Sequence, residues 1–298
     1  WTLSNGIKVV IKPTEFKKDQ ITMSIESEGG LSKVALEDLP SAAMATSIVA
    51  YNGIGEFSYL DLQKALTGKN ISLNPSIDEY EESMSGASTV KDFETMMQLT
   101  YLYFTAPRQD DQAYQSLMSM LETQLAARDK NPKTAFSDSI NQTTTCHNPR
   151  TLIVDMNLLK KVDQQRAIEI YKERFANPAD FLVTFIGNIN PADEATRQII
   201  CTWLGGLKTD KTREKYTDHG IRYPQGKVNN YFAKEMETKT ASNRIVYSGK
   251  MKATLANRLN MGIIGDILST RYLESIREKE GGSYGVGCAG YVMQDPIE

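Results

Sequence analysis

Arg277 and Tyr284 are the two side chains in this sequence whose types and spacing best suit chemistry. They stand seven positions apart in Ile276-Arg277-Glu278-Lys279-Glu280-Gly281-Gly282-Ser283-Tyr284-Gly285-Val286-Gly287. The pattern predicts a helix that ends at the double glycine and a strand opened by the tyrosine. An arginine in the last helical turn and a tyrosine just past the reversal can then point into one space. Together they offer a fixed cation and a neutral O–H donor, suited to holding a carbonyl oxygen as negative charge develops on it. The same residues also have a purely structural explanation, because the helix dipole favours arginine near a C-terminus and Gly-Gly is common turn chemistry.

The elements that must position this pair follow from periodicity. Residues 6–12 read as a strand and 21–26 as its partner, closed by Gly29-Gly30 before a first helix. Ser58 caps a short helix to about Leu66, and 71–76 with 78–86 read as a hairpin. Over 90–104, Phe93, Met96, Met97, Tyr101 and Phe104 recur at threes and fours on one helical face, which Pro107 stops. A second amphipathic helix covers 111–128. Helix 162–175, strand 181–186 and helix 191–204 follow, the last with Asn190 as N-cap and Pro191 as its first residue. Residues 208–227 are rich in Lys, Thr, Asp, Gly and Pro and read as a linker. Strands at 228–233 and 241–248 then lead to a helix over 254–279, whose Leu255, Leu259, Ile263, Ile267 and Ile276 form a stripe expected to be buried. The expected organisation is a first domain over 1–207, the linker, and the start of a second domain over 228–298.

Composition removes several function classes. The 298 residues carry 34 Lys and Arg against 37 Asp and Glu, a net charge of −3, with the two signs interspersed. No basic surface able to track a phosphate backbone is expected, so nucleic acid is disfavoured as a partner. Apolar runs fall well short of the roughly 18–20 residues of a membrane span, 181–186 being broken by Gly187 and Asn188. No signal peptide is visible at Trp1, and the sequence, which opens inside a strand pattern and stops at Asp295-Pro296-Ile297-Glu298, reads as a fragment.

Other candidate sites are weaker. Cys146, Cys201 and Cys288 are widely separated and odd in number, against a disulfide framework, and read as small buried apolar residues. Cys146-His147 are adjacent, whereas a nucleophile and its base normally meet across a fold. His219 falls in the linker and reads as solvated. Asp78-Glu79-Tyr80-Glu81-Glu82 reads as an exposed strand edge kept soluble by charge rather than a cation site. The sequons at Asn70 and Asn141 are short enough to arise by chance. Gly281-Gly282-x-x-Gly285-x-Gly287 precedes a strand pattern, the wrong context for phosphate binding at a helix N-terminus.

The segment Arg277-Glu278-Lys279-x-Gly281-x-x-Tyr284 resembles the arginine–tyrosine element in the second domain of each half of the insulinase/pitrilysin family of zinc peptidases. Leu3-Ser4-Asn5-Gly6-Ile7-Lys8-Val9-Val10 is similar to the opening strand of that family. Tyr171-Lys172-Glu173-Arg174-Phe175-Ala176-Asn177-Pro178, leading to Phe185-Ile186-Gly187-Asn188-Ile189, resembles its helix-to-strand passage, and Phe104-Thr105-Ala106-Pro107-Arg108 also fits. The resemblance covers essentially the whole sequence. Active members carry an inverted zinc motif, His-x-x-Glu-His, on the first helix, with a later glutamate as third ligand. Here that window reads Leu39-Pro40-Ser41-Ala42-Ala43-Met44-Ala45-Thr46-Ser47-Ile48-Val49-Ala50, without histidine, cysteine or acid. Zinc needs three or four N, O or S ligands at about 2.0–2.3 Å, and this helix offers none.

The pattern resembles the non-catalytic half of the family. It implies an α+β fold of repeated domains, each an antiparallel sheet with helices packed mainly on one face. It implies that no metal is held by this chain, and that zinc and the water-activating glutamate sit in a catalytic half, either fused or a partner subunit. Arg277 and Tyr284 would contact the carbonyl of an unfolded peptide enclosed between the halves, and the fragment alone would be inactive. Relatives with fused halves favour a periplasmic location. The alternative is a non-hydrolytic scaffold, as in respiratory complexes, or a subunit that retains peptides by strand pairing.

Overall fold

The computed structural model describes residues 1–294 apart from 211 and 237, with the backbone alone for Asp129. Two compact units are present, Trp1–Ser242 and Asn243–Glu298.

The first unit is built on a five-stranded sheet with strands β1 (Lys8–Pro13), β2 (Ile21–Glu28), β3 (Ile71–Ile77), β4 (Glu81–Ser88) and β5 (Leu182–Gly187), in the order β1-β5-β2-β4-β3. The chain begins with β1 and β2, passes a 3-10 turn at Gly30–Lys33, and enters helix α1 (Leu39–Asn52) and then α2 (Tyr59–Ala65). After the β3–β4 hairpin come α3 (Phe93–Thr105), α4 (Asp111–Asp129), α5 (Pro132–Thr144), α6 (Met156–Leu159) and α7 (Gln164–Arg174). Strand β5 and helix α8 (Glu194–Trp203) complete the regular elements of this unit.

Alternation along the strands sorts the two sheet faces. Val9, Met23, Ile25, Met84, Val183 and Phe185 are buried, whereas Val10, Thr22, Glu26, Leu182 and Ile186 are exposed. Helices cover only the first set. Ile48 and Val49 of α1, Met96 of α3 and Tyr171 of α7 belong to the same core cluster as the inward strand residues. Phe93 meets Phe185 edge-on at 5.5 Å between ring centres, and Phe175 stacks on Phe181 at 5.7 Å. Each fully buried aliphatic side chain in such a core is worth roughly 1.5–3 kcal/mol of transfer free energy. The α+β architecture with helices on one face is therefore as the sequence implied.

Pairing differs from expectation at one edge. Strands β1 and β2 are not direct partners, because β5 lies between them: Val9 aligns with Val183 in parallel, and Ile25 aligns with Val183 in antiparallel. The sheet is thus antiparallel except at β1–β5. Sequence neighbours fail to pair because β5 is bonded to the β1–β2 connection at its end, Thr14 N–H to the Gly187 carbonyl at 2.8 Å and Asn188 N–H to the Gln20 carbonyl at 2.9 Å. Gly187, at φ 141°, makes this possible, since a Cβ there would strike the Gln20 carbonyl.

Helix α8 begins later than expected. Its N-cap is Asp193, whose carboxylate accepts from Thr196 N–H at 2.8 Å, while Asn190 closes only a local turn onto Ala192 N–H at 3.0 Å. Two helices were not anticipated. In α5, Asn131 caps at 3.0 Å and Pro132 occupies the first turn, but the apolar pattern is faint; α6 is a single turn capped by Asp155.

Residues 208–227 have no regular structure where described. Nor do the expected strands 228–233 and 241–248 form a ladder among the described residues. Strand-prone sequence becomes a strand only with a partner for its N–H and C=O groups, and here Val228, Tyr231, Ile245 and Tyr247 are left exposed.

In the second unit the expected helix is present as α9 (Leu255–Tyr272), capped by Thr254, and continues as a π-helical stretch over Leu273–Lys279. Its stripe is not buried: Leu255 is 74% and Leu259 58% exposed, because no described element covers that side. A close backbone neighbour is found at Gly265, where Gly290 approaches so tightly that a Cβ would meet its N at 2.6 Å.

Candidate functional site

Helix α1 is held as a packing element. Ala45, Ile48 and Val49 are fully buried, Ser41 Oγ accepts from Asp163 N–H at 2.9 Å, and Asn52 donates to the Arg108 carbonyl at 3.2 Å. Its entry is fixed by Arg150, a buried guanidinium that donates to Glu79 at 2.6 Å, to the Val34 carbonyl at 3.1 Å and to the Leu31 carbonyl. The residues of α1 do not fit a zinc ion. Among the described residues no three His, Cys, Asp or Glu side chains converge as a metal site.

Arg277 and Tyr284 are brought together in the second unit. The Arg277 Cζ lies 5.4 Å from the centre of the Tyr284 ring, a cation–π contact. The reversal that allows it is built by Gly281, at φ 59°, and by Gly282 N–H donating to the Ile276 carbonyl at 2.9 Å, a wide closure that matches the π-helical turn. The returning segment is tied to α9 where Ser269 Oγ donates to the Cys288 carbonyl and accepts from Cys288 N–H, both at 2.7 Å. Tyr284 does not open a strand; it sits in irregular chain, 92% exposed. Among the described residues no carboxylate pairs with Arg277. Guanidinium and phenol ring thus lie side by side in exposed chain.

The remaining candidates are dispersed. The cysteines are not buried as expected: Cys146 is exposed in the turn after α5, Cys201 is exposed on α8, and Cys288 is half-buried. Cys146 and the exposed His147 are in left-handed backbone, both at φ 53°. His219 is exposed, yet its Nε2–H donates to the Ser32 carbonyl at 2.8 Å.

The acidic run at 78–82 is not a uniformly solvated edge. Glu79 pairs with Arg150, and Glu82 is only 2% exposed. Glu82 Oε2 accepts from Gly30 N–H at 2.7 Å and lies 3.9 Å from Arg174 Nη1. Burial pushes its carboxyl up to about 7, against the opposing pull of the Gly30 N–H and the Arg174 guanidinium. The signal was legible: Glu82 is two residues before Met84, in phase with the buried face of β4.

Comparison with known proteins bears on the fold. No protein-family profile matches the chain. A protein named zinc protease PQQL-like from Arabidopsis thaliana is 24% identical over 294 residues, covering 95% of this chain and 28% of the relative. The periplasmic protease PqqL of Escherichia coli superposes with a TM-score of 0.71 at 19% identity, over 96% of this chain and 31% of that structure. A peptidase M16 inactive domain from Pseudomonas fluorescens superposes with a TM-score of 0.55 at 12% identity, over 73% of this chain and 53% of that one. The chain thus spans about three tenths of the length of the PqqL-type proteins it matches. The chain is therefore similar in sequence to proteins named as PqqL-type zinc proteases and shares the fold of the PqqL and M16 peptidase structures, with a first helix that carries no zinc ligands.

Proposed function

We propose that this chain serves as the non-catalytic half of an insulinase-like zinc metalloendopeptidase and lends Arg277 and Tyr284 to the carbonyl of the peptide being cut. The observation that carries the reading is the pair itself: a guanidinium 5.4 Å from a phenol ring, both exposed, in a chain whose zinc helix is devoted to packing. Zinc, bound by a catalytic half, would supply Lewis acidity and an activated water. This chain's part is to hold and neutralise: Arg277 as a fixed positive charge and Tyr284 as an O–H donor toward the same oxygen.

The open face of the sheet supports enclosure of an extended peptide. Its exposed Val10, Leu182 and Ile186 lie among Thr22, Ser24 and Glu26, mixing apolar contact with hydrogen-bonding groups. The division into a domain over 1–207, a linker over 208–227 and a second domain from 228 belongs to the same proposal, as does a periplasmic setting like that of the Escherichia coli protease. No described helix is long and apolar enough to cross a membrane.

The test is peptide hydrolysis by the full-length, zinc-loaded protein. Arg277→Ala and Tyr284→Phe should each lower kcat by about 100-fold or more, the loss typical of a single oxyanion donor, with zinc content unchanged. Full turnover in both variants would remove the assigned role and leave a scaffold.

A further inference from the structure

A cleft of about 350 Å³ in the first unit is closed on one side by the irregular strap that follows α8. Its floor holds the buried Glu82, and its wall holds Arg174, whose side chain is 10% exposed. The strap enters through Glu214, which takes the same guanidinium nitrogen at 2.6 Å and also faces Lys33 at 3.7 Å. Arg174 Nη1 thus stands between two carboxylates, one from the sheet and one from the strap.

Further bonds align the strap on this body. Glu214 N–H donates to Asp180 at 2.7 Å, Thr217 N–H donates to Ser32 Oγ at 2.8 Å, and Tyr216 packs on Tyr80 at 4.9 Å between ring centres. The surroundings of Glu82 are acidic in balance. Strand β2 presents the Ser27 hydroxyl and the 3-10 turn presents Gly30 N–H and Lys33; helix α7 presents Arg174 and Glu173, the latter already bound to Arg166 at 2.8 Å. Asp180, Asp210 and Arg213 complete the charged rim.

We propose that Glu82 is a proton-operated latch for the strap around residues 212–217. With the proton on, Arg174 has a single anionic partner, Glu214, and the strap is held against the sheet. With the proton off, a second buried carboxylate competes for the same guanidinium and repels Glu214 across a poorly solvated gap, so the strap loosens. Burial of Glu82 supports this by favouring its neutral form up to about neutral pH. The proposal is independent of the role given to Arg277 and Tyr284.

The test is hydrogen exchange in the full chain between pH 5.5 and 8.5, following the Glu214 and Thr217 amides as protection factors corrected for intrinsic rates, with β5 amides as reference. In the wild type, protection at both positions should fall about tenfold across this range, the change expected if releasing the strap moves the Glu82 titration by one pKa unit. Glu82→Gln should keep high protection at every pH. Glu214→Gln, which leaves the sheet intact, should lose protection at low pH while β5 remains protected. His219→Gln should retain the wild-type slope. A flat wild-type profile, a slope surviving in Glu82→Gln, or a slope abolished by His219→Gln would overturn the latch.

Discussion

Arg150 reaches Glu79 at 2.6 Å across 71 positions of sequence, and its other two nitrogens hold the Leu31 and Val34 carbonyls. One buried guanidinium thereby ties the tip of the β3–β4 hairpin to the turn that launches α1. Here that fastening serves the packing of α1, whose Ala45, Ile48 and Val49 are fully buried.

Arg150→Ala should therefore be among the costly single changes in the first unit. It strands Glu79 and two buried carbonyls, and breaking a buried charge pair typically costs about 3–5 kcal/mol. Equilibrium denaturation should show that loss. A change comparable to an ordinary surface substitution, within about 0.5 kcal/mol, would show that water replaces the guanidinium.

Glu82 makes stability depend on pH in a direction opposite to that of most carboxylates. Its folded-state pKa, about 7, lies above the ordinary 4.5, so the folded chain binds the proton more tightly. Its contribution is fully present below about 4.5 and is lost as pH rises toward 7. Glu82→Gln should flatten this slope and, at pH 8, exceed the wild type by on the order of 2–3 kcal/mol. Thermal melts at pH 5 and pH 8 distinguish the cases; a variant less stable than the wild type at pH 8 would mean that the Arg174 pairing outweighs desolvation.

At α8, Asp193→Ala should lower Tm more than Asn190→Ala. Asp193 caps Thr196 N–H at 2.8 Å, and that backbone bond holds its carboxyl below the ordinary range. Stability supplied by this cap is present at neutral pH and is lost as pH falls through the lowered pKa. Equal Tm shifts for the two variants would return the N-cap to Asn190.

These elements show what was legible in the chain. The amphipathic helices and the β3–β4 hairpin could be read because burial writes periods of 3.6 and 2 into the sequence, as at Phe93, Met96 and Met97 or at Met23 and Ile25. The insertion of β5 between β1 and β2 could not, since it rests on a long-range bond pattern around Gln20 and Gly187. Asp193 competed with Asn190-Pro191, an equally acceptable start by local rules. The stripe on α9 has correct helical spacing but no described cover, so spacing alone overstated its burial. At the candidate site, the absence of zinc ligands on α1 and the nearness of Arg277 to Tyr284 were both legible. The π-helical turn that joins the pair was not, because no local propensity marks it.

The most direct measurement is a double-mutant cycle on peptide hydrolysis by the zinc-loaded, full-length protein, using Arg277→Ala, Tyr284→Phe and both together. If the two side chains act on one developing charge, each single variant should lose about 100-fold or more in kcat, and the double variant should lose less than the product of the two. Wild-type turnover in all three variants, at unchanged zinc content, would contradict the account.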